Sequence, residues 1–155
     1  MTSTYNMILY VAKKQEDNDK SKNEHAKDVA SAIAAGANIP AYSIGKHTCV
    51  HETNLLIIGC EVKSGQTPRA FTRILNEINP QDAKLVVVFS ILKSGTASAL
   101  AEAKKILEPK GVNLHDEEFV CNGASMFSNR GCPTDEDFKK AREFGSSMMA
   151  KFRKM

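Results

Sequence analysis

Four runs of consecutive apolar residues recur along the chain: residues 7–12 (MILYVA), 55–60 (LLIIGC), 85–90 (LVVVFS) and 118–123 (EFVCNG), with a shorter AYSIG from Ala41 between the first two. A strand with one solvated face alternates apolar and polar side chains, whereas a strand covered on both faces is continuously apolar. These runs therefore predict the buried strands of a parallel sheet. Between them the period changes to that of a helix. Ala26, Val29, Ala30, Ile33 and Ala34 fall on one helical stripe, closed by Gly36. Thr67-Pro68 is the expected start of a second helix carrying Phe71, Ile74, Leu75 and Ile78, and Asn79-Pro80 stops it. Thr96 is the expected cap of a third, with Leu100, Ala103 and Leu107 on its face and Pro109 and Gly111 at its end. Thr134 and Asp137 form a capping-box pattern before a last helix with Phe138, Ala141, Gly145, Met148, Met149 and Phe152.

The order β-α-β-loop-β-α-β-α-β-α predicts a three-layer α/β sandwich: a five-stranded parallel sheet with helices on both faces. Right-handed crossovers favour strand order 2-1-3-4-5, with ligands at the carboxyl ends of strands one, three and four. A helix after strand two is missing or very short. The 155 residues suit one domain, 1–155, able to bury a core without staples. Only the charged KKQEDNDK of residues 13–20 departs in composition, and it is expected as a surface insert.

A net charge of +3 with acids and bases interspersed supplies no basic stripe, which argues against nucleic-acid partners. No apolar run approaches the ~20 residues that span a bilayer, and the opening lacks a signal-peptide pattern, so a cytoplasmic protein is expected. The four cysteines, Cys49, Cys60, Cys121 and Cys132, show no C-x-x-C spacing and are expected as free thiols, most of them in the core.

Candidate chemistry is sparse. Gly59-Cys60-Glu61 ends a strand, but a nucleophile elbow needs a helix at once, and Pro68 postpones it. His47, Cys49 and His51 share a face if extended and could join Cys60 around zinc, yet no second ligand pair matches them. A phospho-receiver site needs acids after strand one and at the end of strand three. Ala12-Lys13-Lys14 and Gly59-Cys60 stand there instead.

The last third, DEEFVCNGASMFSNRGCPTDEDFKKAREFGSSMM, resembles a pattern of flavodoxin-like proteins: a Phe-x-Cys-x-Gly strand end, a Gly-x-Pro, an acidic helix start and Ala-x-x-Phe. NLLIIGCEVKSGQTPRAFTRIL and LVVVFSILKSGTASALAEAKKIL are similar to the family's third and fourth strands with their flavin loops. The likeness covers nearly the whole chain and implies an FMN-binding electron carrier with a redox protein partner, rather than a hydrolase or transferase. It implies phosphate contacts from Ser21, Lys22, Asn23, His25 and Ala26. Ring contacts would come from the loops holding Cys60, Glu61, Val62, Lys63 and Ser64, and Ser90, Ile91, Leu92, Lys93, Ser94 and Gly95. The family's phosphate loop reads S-K-T-G-N-T, and here Glu24 replaces the Gly and Ala26 the last hydroxyl residue. A carboxylate repels phosphate, and losing Gly removes a backbone conformation with positive φ. The ring loops contain no aromatic residue, so only Val62, Ile91, Leu92, Met126 and Phe127 could offer an apolar face. The expected function is thus FMN-dependent redox chemistry at a weakened or altered site; the alternative is a cofactor-free binding or scaffold domain.

Overall fold

The computed structural model describes residues 5–12, 25–124 and 131–155. The charged stretch 13–20 and the phosphate-loop candidates Ser21, Lys22 and Asn23 lie outside the described residues, as do Met126 and Phe127. Five strands, β1 (Tyr5–Tyr10), β2 (Ala41–Ser43), β3 (Thr53–Lys63), β4 (Ala83–Ser94) and β5 (Leu114–Asn122), form one parallel sheet in the order β2-β1-β3-β4-β5. Helices α1 (His25–Ala37), α2 (Arg69–Glu77), α3 (Leu100–Leu107) and α4 (Asp135–Arg153) complete the three layers expected from the sequence. Residues 44–52 contain no helix, so β2 returns to β3 through a loop. From α2, the Arg73 guanidinium holds that loop by donating to the carbonyls of Gly45, at 2.7 Å, and Thr48, at 3.4 Å.

Two cores follow from the two sheet faces. On one, Ile8, Leu55, Ile57, Val87 and Phe89 pack with Val29, Ile33, Ala141 and Met148 of α1 and α4. On the other, Leu9, Leu56, Ile58, Val86 and Val88 pack with Phe71, Ile74, Leu75, Ala103 and Leu107 of α2 and α3. Successive strand residues thus serve opposite cores, which is why the runs read as continuously apolar.

Several local expectations are corrected. Gly36 does not close α1; it lies inside the helix, where a β-carbon would sit 1.8 Å from the Arg142 carbonyl oxygen. Gly145 reciprocates from α4, its β-carbon falling 2.1 Å from the Ile33 carbonyl oxygen. Paired glycines let the two helix backbones touch, and Asn38, at φ 57°, makes the left-handed exit instead. Thr67 does not cap α2, whose cap position is Pro68. Nor does Thr96 cap α3: Ala99 holds that position, and its N–H donates to the buried Ser90 hydroxyl at 2.9 Å. The Thr134–Asp137 capping box forms as expected, with both reciprocal hydrogen bonds present. Of the cysteines, Cys60 and Cys121 are buried, Cys132 is half-buried and Cys49 is exposed, so half rather than most fill the core.

Candidate functional site

The site is created by unequal strand lengths. β1 ends at Tyr10, opposite Gly59, and Val11 adds one last bond to the Gly59 carbonyl at 3.3 Å. β3 and β4 continue together beyond it, pairing Cys60 with Ser90, Glu61 with Ile91, Val62 with Leu92 and Lys63 with Ser94. The segments expected as ring loops are therefore mostly strand, because their β-branched and apolar residues extend the ladder instead of breaking it. The ribbon ends in a tight reversal at Ser64 (φ 49°) and Gly65 (φ 77°), where Lys63 and Gln66 exchange backbone hydrogen bonds of 3.2 and 2.9 Å. Positive φ at both central positions defines a two-residue hairpin turn. The neighbouring tip is pinned to it. Ser64 N–H donates to the Ser94 carbonyl at 3.0 Å, and the two serine hydroxyls lie 3.2 Å apart.

Overhang and shortened β1 together border an open cavity of about 350 Å³ lined by Val11, Ala12, Glu61, Lys63, Gln66, Thr67 and Pro68. It lies between β1 and β3, the point where strand order reverses and where open parallel sheets bind their ligands. Its size is at the lower end of the range typical of small-molecule sites.

Glu61 is the unusual wall residue. One oxygen, Oε2, lies 3.6 Å from Lys93 Nζ, with the two side chains only 17% and 14% exposed. The other, Oε1, is buried and has no hydrogen-bond partner among the described residues. A buried acceptor left unpaired costs free energy of the order of 1–3 kcal/mol, so such atoms call for a donor. Its neighbour Cys60 is fully buried, and its thiol pKa is pushed up to about 12, first by burial and then by the Glu61 charge. Cys60 does not resemble an activated nucleophile.

His25 opens α1 and is buried. A β-carbon at Gly123 would lie 3.4 Å from the His25 ring, 3.7 Å from the Lys93 stem and 2.6 Å from Ile91. Gly123 thus lets the start of α1 approach the Lys93 side chain. The structure brings His25, Glu61, Lys63 and Lys93 to the carboxyl ends of the strands, and sets Ser64, Ser94 and Gly95 at the exposed tips. Ala26, Cys60, Val62, Ser90, Ile91 and Leu92 are buried in the cores, and the Ser90 hydroxyl is committed to α3. Val62, Ile91 and Leu92 therefore present no open apolar face. His51 turns to Asp82 at the other end of the sheet, far along β3 from Cys60, so HTCVH and Cys60 are not brought together. Val11, Ala12, Gln66, Thr67 and Pro68 line the cavity without having been singled out. The signal for Gln66 was Ser64-Gly65, a turn dipeptide that folds Gln66 back beside Lys63.

No family model matches the sequence, and no curated protein matches it. Solved structures do match. A WrbA-like flavodoxin from Agrobacterium tumefaciens superposes with TM-score 0.65 at 14% identity, over 98% of this chain and 99% of that one. Oxidised flavodoxin 2 from Bacillus cereus gives 0.65 at 16% identity, over 94% and 99%. An NAD(P)H:quinone oxidoreductase from Methanothermobacter marburgensis gives 0.60 at 11% identity, over 94% and 100%. Together with the 2-1-3-4-5 parallel sheet and its helices on both faces, these matches establish that the chain has the flavodoxin-like fold.

Proposed function

We propose that the protein is a flavodoxin-like redox protein that holds a flavin, in the first instance FMN, at an altered site over β1 and β3. One observation carries this reading: the cavity of about 350 Å³ at the strand-order switch point gathers Glu61 and Lys63 with the polar side chains of Gln66 and Thr67 in its lining. A flavin brings both hydroxyl and ring N–H donors, and when bound it supplies one- and two-electron chemistry. In this reading Glu61 accepts a donor from the ligand, while its other oxygen is paired with Lys93. Lys63 places positive charge at the mouth. The Ser64 and Ser94 tips, locked to each other, give the rim a fixed shape. Ser21, Lys22, Asn23 and His25 remain the candidates for the phosphate end, and a redox protein is the partner the reading calls for. No helix among the described residues is long and apolar enough to cross a membrane, and we place the protein in the cytoplasm.

A second reading, a cofactor-free binding domain using the same crevice, is favoured by one fact: no aromatic side chain among the described residues lines the cavity. Stacking on an aromatic ring is worth ~1–3 kcal/mol for a planar base, and none of the described lining residues offers it. Titration with FMN, followed by flavin fluorescence and the visible spectrum, separates the two. Saturable quenching with a shifted flavin band is expected; its absence at millimolar FMN would leave the cofactor-free domain.

A further inference from the structure

We propose that β2 is a self-association edge: a second copy of this chain lays its own β2 antiparallel to the first, about a two-fold axis at Tyr42, and joins the two sheets into one. The inference stands apart from the flavin reading.

The sheet ends in two edge strands, β2 and β5. In parallel pairing, alternate residues of an edge strand turn their N–H and C=O groups to the neighbour, and those between turn them outward. Ile8 N–H donates to the Pro40 carbonyl at 2.9 Å and Ile44 N–H to the Tyr10 carbonyl at 2.8 Å, so Pro40, Tyr42 and Ile44 are the residues turned to β1. The backbone groups of Ala41 and Ser43 therefore point away from the sheet, and among the described residues nothing pairs with them.

Such an edge recruits a further strand unless charge, proline or a covering element blocks it. Charge blocks β5, where His115, Asp116, Glu117 and Glu118 stand in succession and an antiparallel copy would set acids against acids. Residues 39–45 (IPAYSIG) carry no charged side chain, so two copies of β2 meet without repulsion. Pro40 belongs to the inward set and removes no outward donor. The side chains suit a two-fold as well. Ala41 and Ser43 are small and change places across the axis, each exchanging backbone hydrogen bonds with the other's copy. Tyr42, in register with Leu9, is 53% exposed on the α2/α3 face, where residues 44–52 supply no helix. The two Tyr42 residues then form the non-hydrogen-bonded pair, with Cα atoms about 4.5 Å apart and rings side by side. A strand of three residues makes a small interface, so the association is weak and depends on concentration. The axis also reverses the second copy, whose carboxyl end lies at the opposite end of the joined sheet.

Sedimentation velocity of the full chain from about 10 μM to 1 mM tests this, over the range in which a small interface associates. The sedimentation coefficient should rise from that of a monomer toward that of a dimer. Tyr42→Lys sets like charges opposite each other, and Ser43→Pro removes an outward donor while sparing the bonds to β1. Each should weaken association by about tenfold or more with circular dichroism and melting temperature close to the parent's. Cross-linking reads the register. In a Cys49→Ser background, Tyr42→Cys should yield a disulfide-linked dimer with diamide, because Cα atoms about 4.5 Å apart fall within disulfide reach, and Val120→Cys on β5 should not. A monomer throughout, the result if another segment of the chain covers β2, would overturn the inference. A dimer indifferent to both Tyr42→Lys and Ser43→Pro, or one cross-linked as readily through Val120→Cys, would overturn it by moving the interface elsewhere.

Discussion

At the amino end of the sheet, the buried Asp82 has both carboxylate oxygens engaged. Oδ2 accepts the Asn79 N–H at 2.8 Å and Oδ1 meets His51 Nδ1 at 3.3 Å, while the Asp82 carbonyl takes the Thr53 N–H at 2.9 Å. At the carboxyl end, Glu61 has one oxygen near Lys93 and the other without a partner among the described residues. Asp82 closes its hydrogen bonds within the chain and so fastens the exit of α2 to the start of β3. Among the described residues, Glu61 leaves one oxygen without a partner. The difference separates a carboxylate fastened through both oxygens from one fastened through a single oxygen, a distinction that burial alone does not make.

Breaking the amino end should have the largest effect. Asp82→Ala strands the Asn79 N–H and removes the partner of His51, and should cost roughly 2–3 kcal/mol in urea unfolding. Flavin affinity should stay within a few-fold; a large loss of binding without loss of stability would erase the contrast between the two ends.

Alkaline titration sharpens the carboxyl end. The thiols of Cys60 and Cys121 are both pushed up to about 12 from 9.0, chiefly by burial, with Glu61 adding to the first and Asp137 to the second. A raised thiol keeps its proton in the native state while the unfolded chain loses it. Native protein therefore binds more protons between pH 9 and 12, and stability falls as pH rises through that window. The loss should reach roughly 1 kcal/mol per thiol at pH 10. Glu61→Gln should make it smaller by letting Cys60 ionise sooner, as unfolding curves at pH 8 and 10 would reveal. At neutral pH, alkylation should reach the exposed Cys49 and spare Cys60 and Cys121 until the protein unfolds.

Replacing the Glu61–Lys93 pair outright tests whether it serves the fold. A covered ion pair with an unpaired oxygen gains little over apolar or neutral isosteres. The double variant Glu61→Gln, Lys93→Met should thus be as stable as the parent or more so, by about 1 kcal/mol. A loss of several kcal/mol would make Glu61 a fastener like Asp82.

The smallest effect concerns redox potential. Lys93 is matched by Glu61, whereas Lys63 makes no ion pair among the described residues, so Lys63 carries an unbalanced positive charge at the site. Lys63→Glu should lower the two-electron potential of a bound flavin by roughly 30 mV, since an exposed charge acts through about 1 kcal/mol at contact. Spectroelectrochemistry at two ionic strengths checks it. No shift at low salt would place Lys63 outside the field of the ring.

Much of the fold was legible. Residues 55–60 and 85–90 read as buried strands because both faces of each are covered, and the Thr134–Asp137 capping box was readable because both partners lie within one turn. Legibility failed where a residue's role depends on something distant in sequence. Gly36 looks like a helix stop, and only the Arg142 backbone of α4 shows that it is a contact point. Ser90 looks like an accessible loop hydroxyl until Ala99 is seen to donate to it. The candidate site divides in the same way: Glu61 and Lys93 were named from their positions in the chain, but their pairing across neighbouring strands could not be.

The sequence by itself determined the layers and the strand order. Periodicity is a local property, and the handedness of crossovers leaves few ways to connect the elements. Tertiary structure alone decided which polar atoms are satisfied. Whether Asp82 or Glu61 keeps an oxygen free depends on groups brought within hydrogen-bond distance by chain packing, from Asn79 and His51 in one case and Lys93 in the other. Hydrogen bonding falls away over fractions of an ångström, a scale at which periodicity along the chain says nothing.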